Sequence, residues 1–159
     1  MKTFLLNAVL AVVVAVSGVA IVEAAAPDPV VGTWQLNVSK STFTSGPALK
    51  SQTRTYTQSG PTISLVIKTV SADGKEGTSQ TSYQLDGKDY PVTGNPDYNS
   101  ISAQQVDNNT ARFTLKRDGK AVGTTGRTVS KDGKTLTSKL KITTTKGEKT
   151  ESVLVFDKQ

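Results

Sequence analysis

The sequence predicts an all-β protein, a single antiparallel up-and-down β-barrel of about 8–10 strands. Three observations lead there. Polar and apolar residues alternate with a period of two almost throughout, and no helical stripe follows residue 26. Four Asp-Gly-Lys tripeptides stand at Asp73-Gly74-Lys75, Asp86-Gly87-Lys88, Asp118-Gly119-Lys120 and Asp132-Gly133-Lys134. Asp-Gly between alternating segments is a strong hairpin signal, because both residues tolerate the positive φ of a type I′ turn. Their spacings of 13, 32 and 14 residues suit strand-turn-strand units.

In order along the chain, Val30, Gly32, Trp34, Leu36 and Val38 share one strand face. Residues 39–47 form a polar connection in which Phe43 packs across the end of the fold. Residues 51–58 are β-branched and end at Ser59-Gly60-Pro61. Ile63, Leu65 and Ile67 alternate clearly, and Asp73-Gly74 turns the chain into residues 78–85, where Thr81, Tyr83 and Leu85 share a face. Asp86-Gly87 leads to a short strand over residues 89–92, which Pro91 places at an edge or strand end. Residues 93–98 are a loop. Residues 100–106, 111–116, 122–130, 135–144 and 150–156 complete about ten strands.

Sequential hairpins favour a meander over a Greek key, which needs a long return connection. The predicted closure pairs the last strand (Ser152, Leu154, Phe156) with the first (Trp34, Leu36). The inward set is lean, with Thr or Ser where a filled core would carry Leu or Ile. Either small residues pack tightly or the barrel encloses a partly hydrated cavity.

The first residues read as a targeting segment. Lys2 precedes an apolar run over residues 4–22, and Val22-Glu23-Ala24 is a small-x-small site. This predicts a signal peptide over residues 1–24 and one domain over residues 25–159, periplasmic or secreted, with no membrane span after cleavage. About 135 residues suffice for one core. Without cysteine the exported domain has no disulfide staple, and its stability rests on one core and a closed ladder. The formal charge of +6 is unchanged by loss of Lys2 and Glu23. Its lysines cluster at turns and read as a solvated surface. Nucleic-acid binding would interleave basic residues with stacking aromatics, and the pattern is absent.

Val31-Gly32-Thr33-Trp34-Gln35-Leu36 resembles the Gly-x-Trp first strand of the calycin superfamily, which includes lipocalins, fatty-acid-binding proteins and avidins. The longer stretches 32–43 and 86–96 are similar to uncharacterised exported bacterial proteins described as lipocalin-like. The resemblance implies that Trp34 closes the barrel floor with an arginine of a late strand stacked on it. It brings no assigned activity. A Thr-Asp-Tyr lipocalin motif and the helical lid of a fatty-acid-binding protein are missing.

The chain has neither histidine nor cysteine. Ser-His and Cys-His nucleophiles, imidazole bases, His-ligated haem and ordinary zinc sites are excluded, so no enzyme, cofactor or metal is expected. Asp73, Asp86, Asp107, Asp118 and Asp132 are accounted for by turns. Asn95-x-Asp97-x-Asn99 offers oxygens at alternate positions, but lacks the glycine and bidentate acid of a calcium loop. A turn capped by its own side chains accounts for it.

Trp34 reads as the core anchor. Alternation places Arg127 inward with Ala121 and Val129. An inward arginine is stacked or paired: over Trp34, or against an anionic head group, unless a bulge at Gly126 turns it to solvent. Arg54 and Tyr56 lie on a strand without an apolar face and are expected outward, by the usual exposure of Arg and Gln.

Two functions remain. One is a monomeric barrel that binds a small amphiphilic or hydrophobic ligand inside, with Trp34, Tyr83, Tyr90, Phe113 and Arg127 as site residues, and Ile63, Leu65, Ile101 and Leu140 beside them. The other is a filled barrel acting through its surface, as an envelope-interaction or inhibitor module, with Tyr90 and Tyr98 flanking the 93–98 loop as its contact patch.

Overall fold

A chain that alternates with period two must bury one face of every strand, and this chain does so by closing its sheet on itself. The computed structural model describes residues 26–159. Eleven strands follow in order: β1 Gly32–Leu36, β2 Thr42–Phe43, β3 Ser51–Ser59, β4 Thr62–Val70, β5 Glu76–Tyr83, β6 Asp86–Thr93, β7 Ser100–Asp107, β8 Thr110–Arg117, β9 Lys120–Val129, β10 Thr135–Thr143 and β11 Lys149–Lys158. From β3 to β11 each strand pairs with its sequence neighbour. β1 pairs with β3 on one side and with β11 on the other, through Leu36↔Phe156 and Trp34↔Lys158. Ten strands thus form the predicted closed antiparallel barrel.

The eleventh is β2. After β1 the chain makes a 3-10 turn over Val38–Lys40, capped by the Asn37 side chain, and β2 then lies against β11 with Phe43 opposite Ser152. Phe43 is half-buried against the core rather than across an end. Val30 and Val38 fall outside β1, contrary to the alternation. Val30 sits in the turn before it, and Val38 is exposed. No helix among the described residues is long and apolar enough to cross a membrane. The predicted signal peptide, residues 1–24, lies outside the described residues.

The Asp-Gly-Lys turns are three devices rather than one. Asp118 and Gly119 both have positive φ, 51° and 77°, as a type I′ turn requires. At 73–75 and 132–134 only the glycine is positive, and a preceding serine hydroxyl (Ser71 or Ser130) donates to the aspartate. Asp86-Gly87 stands at the midpoint of the β5–β6 connection, since Gln80 pairs with Thr93 and Thr81 with Val92. The connection is wide rather than a tight turn, and the register of β6 to β7 also shifts between Asp86 and Asp89. β5 and β6 share only Gln80↔Thr93 and Thr81↔Val92. Pro91, which has no N–H to offer, stands where that ladder ends.

The two barrel ends differ. One carries the turns 59–62, 83–86, 107–110 and 129–135 together with residues 26–31. There Val30, Trp34, Ile63, Tyr83, Leu136 and Phe156 are at most 2% exposed. Toward the other end Leu140 and Tyr98 are only partly buried.

Candidate functional site

At the closed end, residues 26–31 form a strap across the barrel mouth. Val31 N–H donates to the Asp28 carbonyl at 2.9 Å and Trp34 Nε1 donates to the Val30 carbonyl at 2.7 Å, so the strap is tied to the first strand. Asp28 N–H reaches Gln58 Oε1 at 2.7 Å on β3. From β9, Arg127 donates to both Asp28 carboxylate oxygens, NH1 at 3.0 Å and NH2 at 2.7 Å. The pair is sealed, with side-chain exposures of 4% for Arg127 and 12% for Asp28. Burial pushes the Asp28 carboxyl up, but the Arg127 hydrogen bonds and charge, with the Val30 N–H, hold it below its ordinary value.

Arg127 therefore points inward as alternation predicts, but it does not stack on Trp34. Its guanidinium lies 5.8 Å from the Tyr56 ring centre and 5.9 Å from that of Phe113. The cation over Trp34 is Lys158 Nζ, 5.0 Å from the ring centre. Gly32 makes this possible: a Cβ there would stand 2.9 Å from Lys158 Cε, and its φ of +133° suits glycine. The Gly32-x-Trp34 spacing thus lets the Lys158 stem lie across the indole.

Arg54 and Tyr56 also point inward, contrary to expectation. The β1–β3 register sets Trp34 opposite Arg54 and Gly32 opposite Tyr56. Residues directly opposite in an antiparallel pair share a face, so Trp34 takes both side chains inside. Tyr56 is 2% exposed. The Arg54 guanidinium stacks 4.4 Å from the Phe156 ring centre and its Nε donates to Gln52 Oε1 at 2.9 Å.

Above this packed floor lies a cavity of about 90 Å³. One water needs roughly 10–15 Å³ in such terms, so the space exceeds a single solvent molecule several-fold. Leu65, Ile67, Ile101, Phe113 and Leu140 form its apolar wall, while Arg54, Ser79, Thr125, Arg127 and Ser138 supply polar atoms. It exists because β5, β9 and β10 carry small hydroxyl side chains where larger ones would meet. Among the described residues, two deeply buried side-chain polar atoms have no hydrogen-bond partner, Arg127 Nε and Tyr83 Oη. Burial raises the Tyr83 phenol well above its ordinary value, against the opposing Arg127 charge.

Tyr98 covers the cavity from the 94–99 loop, and burial raises its phenol too. The loop is pinned at several points. Asn95 Oδ1 accepts from Asp97 N–H at 2.9 Å and from Tyr98 N–H at 3.3 Å. The Asp97 carboxylate accepts from Thr145 N–H at 2.9 Å, and its carbonyl accepts from Arg117. Asn99 exchanges hydrogen bonds with Asp118. Asn95, Asp97 and Asn99 are thus engaged in holding Tyr98, and no group of three or more acidic residues among the described residues is placed to bind a metal ion.

Of the predicted site residues, Phe113 and Arg127 line the cavity. Trp34 and Tyr83 belong to the packed floor, with Tyr83 edge-on to Phe113 at 5.4 Å between ring centres. Tyr90 is half-buried beside the β6 register shift, and its hydroxyl donates to Asp86 Oδ2 at 3.0 Å, so it stands apart from the cavity. Sequence reasoning missed Asp28 and Tyr98 as interior groups, and placed Arg54 on the wrong side. A larger groove of about 580 Å³ lies outside the closed end, between the strap, Gln84 and Asn108. Its two carboxylates are already engaged, Asp28 by Arg127 and Asp86 by Tyr90 and Lys88.

The fold is similar to that of Rv2717c from M. tuberculosis, known from a crystal structure. The TM-score is 0.52 at 13% identity, over 82% of this chain and 93% of that one. This likeness shows the fold alone. No family model matches the chain, and no curated protein matches it.

Proposed function

We propose that this protein is an exported, monomeric barrel that binds a small amphiphilic ligand in its interior. The observation that carries the reading is the cavity between the Arg127–Phe113 floor and the Tyr98 cover, with apolar walls and a few convergent polar groups. Its volume is below the roughly 150 Å³ of an engineered cavity that admits benzene, so the ligand is small unless Tyr98 swings aside. Tyr98 favours an interior role over a contact patch, because its ring turns into the cavity rather than out to solvent. Export rests on the leader-like residues 1–24.

Native mass spectrometry of protein purified undenatured from its own source tests the reading. A co-purifying small molecule that is lost when Leu140→Phe fills the cavity supports it. A bare mass, together with no thermal shift from a panel of small amphiphiles, refutes it and leaves the surface-acting alternative.

A further inference from the structure

The barrel holds two inward arginines in unlike electrostatic states. Arg127 is neutralised by Asp28 through two hydrogen bonds. Arg54, on the cavity wall, meets only Gln52 Oε1 through its Nε and the Phe156 ring through its face. Among the described residues no carboxylate lies within ion-pair distance of it, and its two terminal nitrogens donate to no protein atom. Two cations and one carboxylate leave the interior with one uncompensated positive charge.

Arg54 is half-buried, and its terminal nitrogens are not among the sealed polar atoms, so they stay open to a ligand that enters the cavity. A guanidinium presents a planar fork whose spacing matches the two oxygens of a carboxylate. The face of Arg54 is fixed on Phe156, which orients that fork in advance. The Tyr98 hydroxyl also lacks a hydrogen bond to any described residue, and it lies near enough for the Arg54 charge to act on it. Leu65, Ile67 and Leu140 form an apolar part of the wall, beside the hydroxyls of Ser79, Thr125 and Ser138.

Building on the interior-binding reading above, we infer that the ligand is a small monoanion, a short-chain carboxylate, with its acid group on Arg54 and its alkyl end against the leucine and isoleucine wall. The cavity volume sets the size, since only a few heavy atoms fit while Tyr98 stays in place. Selectivity against neutral analogues follows from the arginine, because an amide offers one acceptor oxygen and no counter-charge where a carboxylate offers two oxygens and a negative charge.

The test uses propionate against propionamide, which share heavy-atom count and shape and differ in charge. Binding is followed by calorimetry and by amide shifts of Leu65, Ile101 and Leu140, in about 0.2 M salt, where exposed lysines are screened. Propionate should bind the wild type at least tenfold more tightly than propionamide. Arg54→Met, which keeps a stem against Phe156, should abolish that preference by weakening propionate far more than propionamide. Arg54→Lys should retain part of it and covers the case in which Arg54→Met does not fold. Equal binding of the two probes to the wild type overturns the anion inference and leaves interior binding standing. Failure of both probes to move any cavity amide overturns both readings.

Discussion

Removing the Asp28 carboxylate isolates what the strap contributes. In Asp28→Ala the Arg127 guanidinium, with 4% side-chain exposure, keeps its charge and loses both carboxylate oxygens, while its Nε is already unpartnered. Breaking a buried pair from one side costs about 3–5 kcal/mol, because a desolvated charge is left behind. A domain of this size has on the order of 5–15 kcal/mol of stability in all. Asp28→Ala should therefore remove about a fifth or more, read as a lowered denaturant midpoint at unchanged slope. Arg127→Met should cost less, since Asp28 at 12% exposure sits closer to water.

The double variant should be more stable than Asp28→Ala alone, with a coupling of about 2 kcal/mol or more. The pH dependence has a definite sign. The folded carboxyl lies below its ordinary value of 3.8, so its contribution is present above that pH and is lost as pH falls through the lowered folded value. Asp28→Ala should flatten the acid limb of the stability curve in that window. A cost below about 1 kcal/mol, or a double variant as unstable as Asp28→Ala, would refute the assignment of Asp28–Arg127 as the clasp of the closed end.

Two further variants probe packing. Tyr83→Phe removes a buried hydroxyl that has no partner and should leave the thermal midpoint unchanged or raised; a loss above about 1.5 kcal/mol would show that the hydroxyl is engaged. At Gly94, φ is +73° and a Cβ would stand 2.0 Å from the Thr78 carbonyl oxygen, so Gly94→Ala should cost on the order of 3 kcal/mol by chemical denaturation. Gly119 has a similar φ of +77° with open space around it, and Gly119→Ala should cost only about 1–2 kcal/mol; equal costs would mean that the Gly94 backbone yields.

The sequence by itself determined the roughly ten barrel strands, the meander and the closure of β11 on β1, because each is written in local alternation and short turns, whereas β2 lies in what reads as a polar connection. Burial of Trp34 and the inward face of Arg127 follow from the same period of two. What Arg127 meets was not legible: Asp28 lies 99 residues away, and its carboxylate resembles any other turn-forming aspartate until the strap folds under the barrel. The orientation of Arg54 and Tyr56 was equally hidden, since β3 has no apolar face and takes its sidedness from register with Trp34.

Asp86-Gly87 shows the limit at the turn level. The dipeptide specifies a positive φ at Gly87 and marks the midpoint of the β5–β6 connection, and only the surrounding pairing decides that the connection is wide and that β6 shifts register against β7. The cavity belongs wholly to the tertiary structure. Hydroxyl residues at 79, 125 and 138 are unremarkable in their own strands, and they make a void because closure brings β5, β9 and β10 around one space. Local sequence fixes which way a side chain points within its strand, and closure fixes what it meets there.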